Sequence, residues 1–267
     1  MDNTVSLPDK GVASRAKTAV LWSVAVYLIW MLATYLLEGR INLLQQPTVV
    51  GRFSYVLIAN VLIGTIGAFW VLRFRLSSHV ATLTQLGFQS GRRTLLTILA
   101  AVLIGVAYLL IVRPASLTPL IVLNGFAQVL TVSIAEVVVC WAAVGTSLEW
   151  LAQSKGKFAS LLVGVVAATI LFSIYHLGHS APFSQVNMIL FLLVPGVLTS
   201  LFYFISHEIY ATIIFHNFQG MVGVIGNLEH PEIFNHPLYA LYLLMLISVL
   251  ALVGADLLLA RRASTED

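Results

Sequence analysis

Residues 119–145 read PLIVLNGFAQVLTVSIAEVVVCWAAVG, and this stretch decides the class of fold. An apolar run of this length carries an α-helix across a hydrocarbon core of about 30 Å. It holds no Lys, Arg or His, yet it holds one carboxylate, Glu136. The rest of the chain follows the same pattern. Its 267 residues are 59% hydrophobic and only 9% charged, with a mean hydropathy of +0.95. A soluble domain carries about a quarter charged residues, so this chain cannot cover a globular surface. The predicted architecture is all-α, a polytopic membrane bundle of about eight transmembrane helices. The spans are expected near 19–37, 54–72, 95–112, 119–145, 159–178, 187–204, 209–226 and 238–260. Residues 1–18 read as an N-terminal tail, 19–260 as one transmembrane domain and 261–267 as a C-terminal tail.

Orientation follows from the placement of Lys and Arg. With the N-terminus in the cytoplasm, the inner segments hold Lys10, Arg15, Lys17, Arg73, Arg75, Arg92, Arg93, Lys155, Lys157, Arg261 and Arg262. The outer segments hold Arg40, Arg52 and Arg113, so both termini are expected inside. This sorting accounts for the net charge of +3 without a nucleic-acid partner. The first apolar run is too long for the core of a cleavable signal. Cys140 is the sole cysteine and reads as a small buried hydrophobe. The inner loop 73–94 is basic, contains LGFQSGRR, and reads as a partly helical connector at the membrane surface. Compactness and the lack of an organellar targeting segment point to a multi-pass protein of a bacterial inner membrane.

Ionisable groups inside spans are costly and need a reason. Asp256 lies little more than one turn from Arg261 and Arg262 and reads as a snorkelling interfacial acid. Glu136 cannot snorkel, being roughly 13 Å of helix from the inner end of its span. It serves either as structural glue between helices or as a base, relay or metal ligand. His176 shares a helix face with Phe172, four residues earlier, and His179 follows three residues later, where a wet helix end before Pro182 is the simpler expectation. His216 shares its face with Thr212, Gln219, Gly220 and Gly223. One acid and two histidines on three spans are most economically explained by convergence on one cavity, where each offsets the others' desolvation. Glu136, without a cation nearby in sequence, is expected to share its proton with a histidine. One tension remains: counted from the inner end, Glu136 and His216 lie roughly 13 and 10 Å deep, but His176 roughly 25 Å.

The arrangement resembles the CAAX protease and bacteriocin-processing (CPBP, or Abi) family of intramembrane proteases. That family has about eight helices, with Glu-Glu-x-x-x-Arg on the fourth, Phe-x-x-x-His on the fifth and His-x-x-x-Asn on the seventh. Here AEVVVCWA, FSIYH and HNFQG stand in those places, within residues 130–220. Glu136 matches the first glutamate, while Val137 and Trp141 replace the second glutamate and the arginine. Phe172, His176 and His216 match, and Gly220 replaces the asparagine. The resemblance implies peptide-bond hydrolysis at a membrane-associated, prenylated or leader peptide. In it Glu136 activates a water, His176 holds that water and His216 stabilises the oxyanion. Phe172, Gln219 and Asn217 support them, with Asn217 about 100° round the helix from His216. No metal is implied, although Glu136, His176 and His216 could also make a zinc set. Two other readings stand beside the enzyme. One is a non-catalytic scaffold or immunity protein that keeps the cavity. The other is a proton-coupled carrier, against which the lack of an inverted repeat counts. The partners expected are lipid and a peptide or prenylated protein.

Overall fold

The structure is a computed structural model that describes residues 10–43, 46, 50–114 and 116–263. Among the described residues no strand forms, and eight helices are long and apolar enough to span a membrane. They are α1 (Gly11–Gly39), α2 (Val50–Ser77), α3 (Gly91–Val112), α4 (Pro119–Leu151), α5 (Lys157–Gly178), α6 (Val186–Ser206), α7 (Ile209–Gly226) and α8 (Tyr239–Leu259). The eight spans and their order are those read from the sequence. The edges differ in two places that matter. Residues 11–18, expected as tail, belong to α1, and α4 runs on to Leu151 instead of ending at 145. The tail ends at residues 1–9 and 264–267 lie outside the described residues.

The bundle is built around α4, where 94% of the most apolar window is buried. It packs against α1, α2, α5, α7 and α8. Its small residues, Ala135, Ala142 and Ala143, are wholly buried and let neighbours approach. Helices α3 and α6 lie outside, with apolar side chains such as Leu103, Ile111, Val186 and Ile205 exposed on their outer faces. An outward apolar surface is what lipid, rather than water, would solvate. Polar groups tie the inner helices. Trp30 on α1 donates to Asn60 on α2 at 3.2 Å and stacks on Tyr175 of α5, the centroids 3.6 Å apart. Tyr27 donates to the Leu171 carbonyl at 2.8 Å, joining α1 to α5 again.

Among the described residues three stretches wind with the wider turn of a π-helix: Tyr35–Gly39, Tyr55–Gly67 and Val137–Gly145. Such turns redirect side chains and recur at functional sites. The last begins immediately after Glu136, and Glu38 lies within the first.

The segment after α2 departs from the expected surface connector. Residues 78–90 are non-helical, and Val80, Ala81, Leu86 and Phe88 are buried. Their spacing fits no helix face, so the chain turns them inward individually. Gly87, at φ +95°, accepts through its carbonyl from the Ile209 N–H at 2.9 Å. Gln89 donates to the His207 carbonyl at 2.7 Å. The connector thereby covers the two-residue reversal between α6 and α7. Two cations counted as loop charges are also buried. Arg52 donates to the Leu43 and Gln46 carbonyls, and Arg75 to the Ala142 carbonyl and the Thr146 hydroxyl on α4.

Candidate active site

Glu136 occupies the middle of α4 and is 4% exposed. Its Oε2 meets His216 Nε2 of α7 at 2.9 Å. Its Oε1 faces His176 Nε2 of α5 at 3.7 Å. The partners of the other ring nitrogens assign the tautomers. His176 Nδ1 lies 2.9 Å from the Phe172 carbonyl, which can only accept. The proton is therefore on Nδ1, and Nε2 presents a lone pair towards Glu136. His216 Nδ1 lies 3.0 Å from the Thr199 hydroxyl of α6, which can donate to it and leave Nε2–H for Glu136. Phe172 packs both imidazoles edge-on, with centroids 4.8 Å from His176 and 4.9 Å from His216.

Three spans thus bring Glu136, His176 and His216 together, and the depth tension has a structural answer. The extension of α4 to Leu151 puts Glu136 further from the inner end than the sequence count allowed. The α6–α7 reversal is also not at the rim. Glu208 and Ile209 are wholly buried beneath the 78–90 connector, so counting from residue 209 starts inside the bundle.

Sequence reasoning missed the next shell of the site. Glu38, near the end of α1, is 1% exposed. Its Oε2 accepts from His179 Nδ1 and from the Ser180 N–H, both at 2.9 Å, and its Oε1 accepts from the Ser180 hydroxyl at 2.6 Å. His179 is therefore not a wet helix end. It is 7% exposed, and its ring centroid lies 5.2 Å from that of His176. The signal available in the sequence was a glutamate one residue beyond the expected end of a span, followed by Gly39. Gly39 is what brings α1 close enough. A Cβ there would stand 2.3 Å from the Gly178 carbonyl oxygen, and one on Gly178 would stand 2.9 Å from the Met31 carbonyl oxygen.

The remaining expectations divide. Gln219 lines the cavity and donates to Thr199 Oγ1 at 3.5 Å, so it reaches His216 only through that hydroxyl. Asn217 does not support the site. It donates to the Phe126 carbonyl at 3.3 Å and accepts from Ser133 at 3.4 Å, fastening α7 to α4. His216 has both ring nitrogens engaged, which suits orienting Glu136 better than donating to an oxyanion. Trp141, in the place of the arginine, donates to Ser200 at 2.8 Å, and Ser200 meets Thr169 at 2.9 Å, linking α4, α6 and α5. Val137 is wholly buried. Gly220 is closely packed, since a Cβ would come 2.7 Å from a Val129 methyl of α4, which would have to shift. Asp256 does not simply snorkel: it accepts from the Tyr210 hydroxyl at 2.5 Å. The zinc set also changes. The donors gathered within 4.8 Å of one another are Glu136, His176 and His179, not His216.

These groups line a cavity of about 280 Å³. Its lining includes Glu38, Glu136, His176 and His179, together with Tyr108 and Val112 of α3 and Phe191, Pro195 and Leu198 of α6. The arrangement can hold a water against a carboxylate beside apolar side chains.

A scan against protein-family models and searches of curated proteins and of solved structures find no match to this chain. What the fold defines is a multi-pass, all-helical membrane protein with a buried glutamate–histidine centre.

Proposed function

We propose that the protein is an intramembrane endopeptidase of the CAAX-protease-like type, hydrolysing a peptide bond of a membrane-associated peptide with water activated by Glu136. The observation that carries this is the 3.7 Å separation between Glu136 Oε1 and His176 Nε2, both acceptors, in the lining of a cavity. That distance is too long for a direct hydrogen bond. One water between them would donate a proton to each and turn a lone pair towards a bound carbonyl. Glu136 takes the proton as general base and later returns it to the leaving amine. His216, fixed by Thr199, holds the other carboxylate oxygen in place. Gln219, which lines the cavity, is an amide that could donate to the developing oxyanion. The apolar side chains that α3 and α6 give the cavity suit a peptide that carries a prenyl group or a hydrophobic segment. The order of Glu136, Phe172–His176 and His216 along three spans, which resembles the CPBP pattern, supports the same reading.

One observation favours a second reading, a scaffold that binds a peptide or lipid without cutting it. Val137, Trp141 and Gly220, in place of the family's glutamate, arginine and asparagine, are built into the packing. The full chain, purified in detergent, is to be incubated with a prenylated CAAX peptide and a bacteriocin-leader peptide. Cleavage should fall by at least about 100-fold in Glu136→Gln and His176→Ala. Peptide binding without product from any form would replace the enzyme with the scaffold.

A further inference from the structure

His179 raises a question the hydrolytic reading does not use. Its Nδ1 is held by the Glu38 carboxylate at 2.9 Å, so the proton sits on Nδ1 and Nε2 carries a lone pair. That Nε2 is buried and has no hydrogen-bond partner among the described residues. An unpaired acceptor in such a place costs free energy unless something occupies it. His176 is built the same way, with Nδ1 on the Phe172 carbonyl and Nε2 turned to Glu136. Two imidazoles, each with Nδ1 bound to a carboxylate or a carbonyl and with Nε2 free of a hydrogen bond, match the outer shell of a metal-bound histidine. One ring nitrogen of each histidine and a Glu136 oxygen lie within 4.8 Å of one another.

We propose that Glu136, His176 and His179 bind one divalent ion of the zinc class, with Glu38 and the Phe172 carbonyl holding the two imidazoles. Two histidines and a glutamate are a known donor set for zinc that keeps a fourth position open. Bonds of about 2.0–2.2 Å place tetrahedral donors roughly 3.4 Å apart, so the three side chains close in by about 1 Å or less each. Both histidines sit at the end of α5, on the short turn His176–Gly178 and the extended residue after it, where side chains can adjust without moving the helix. The set draws on α1, α4 and α5. It leaves His216 outside, because that ring is bonded to the far oxygen of Glu136 and to Thr199. The inference stands on the cavity and does not need a peptide substrate; the ion would take the place between Glu136 and His176 that a water holds in the metal-free hydrolytic reading. Zinc held by a chain that cuts nothing would leave it intact while overturning the hydrolytic reading.

The test is equilibrium dialysis of the full chain in detergent, stripped with a chelator and then exposed to zinc alone. Cobalt serves in parallel for its visible absorption. The wild type should take up one equivalent of zinc, show intense low-coordinate cobalt bands and gain thermal stability with zinc but not with magnesium. Glu136→Gln and His179→Ala should weaken binding by at least about 100-fold, and Glu38→Gln by about 10–100-fold. His216→Ala removes only the hydrogen bond to the far oxygen of Glu136 and should weaken binding by about 10–100-fold, less than His179→Ala. Failure of the wild type to bind zinc overturns the proposal whatever the variants do. So does binding that survives His179→Ala, or that is lost in His216→Ala and kept in His179→Ala.

Discussion

Glu38, Glu136 and Glu208 are carboxylates at 1%, 4% and 0% exposure, and each is held by different means. Glu38 is surrounded by donors from one loop, Glu136 accepts from one imidazole and faces a second across 3.7 Å, and Glu208 caps a helix. Glu208 lies between α6 and α7, accepts from the Ala211 N–H at 2.7 Å and takes the Thr94 hydroxyl at 2.7 Å. Burial pushes its carboxyl above the usual carboxylate range, against the pull of those two hydrogen bonds. A group whose folded pKa is raised contributes its stability fully below the unfolded value of about 4.3, and loses it as pH rises through the folded value. Glu208→Gln keeps an acceptor for the helix end and removes the titration. Thermal midpoints of the two proteins in detergent should diverge, with the variant gaining on the wild type as pH rises above about 4. A constant gap from pH 4 to 8 would contradict this. Among the site residues, Glu136, His176 and His216 were legible because an ionisable group in an apolar run announces itself. Glu38 was not, because a glutamate beside a span's edge looks the same whether it faces water or a histidine.

At the scale of elements, the approach of α1 to the end of α5 delivers Glu38 to His179. It depends on two glycines that touch. Gly39→Ala puts a methyl against the Gly178 carbonyl, which must move. Overpacking of this kind costs about 1–3 kcal/mol, and it should also part Glu38 from His179 and Ser180. Gly254→Ala on α8 meets nothing within 4 Å and should be neutral or stabilising by up to about 1 kcal/mol. Thermal unfolding of both variants in the same detergent separates the two cases, and equal stability would remove the close approach as the cause. The extents of α1 and α4 were misjudged for a related reason. Hydropathy marks where a segment is apolar, while a helix continues as far as its backbone groups find partners. In α4 the stretch Thr146–Leu151 continues inward because Thr146 and Ser147 bond back to Ala142 and Ala143 and Arg75 reaches across from α2.

At the scale of the whole molecule, eight spans in alternation put the start of α1 and the end of α8 at one end of the bundle. The excess of Lys and Arg at that end predicts that it faces the cytoplasm. The burial of Arg52 and Arg75 removes one cation from each side and leaves the asymmetry. Cysteines introduced at Lys155 and Arg113, both exposed, should report it, since Cys140 is buried and silent to an impermeant maleimide. In intact cells Arg113→Cys should react and Lys155→Cys should not; the opposite pattern would invert the molecule.

Composition and run length by themselves determined that the chain is a bundle of eight apolar helices, since burying a backbone in hydrocarbon allows few other solutions. They also marked the three costly side chains whose meeting would make a site. Which oxygen of Glu136 meets which imidazole, the entry of Glu38 through a pair of glycines and the turning of residues 78–90 into the core belong to the tertiary structure alone. Each depends on close approach between segments far apart in the chain, and local pattern carries no record of that distance.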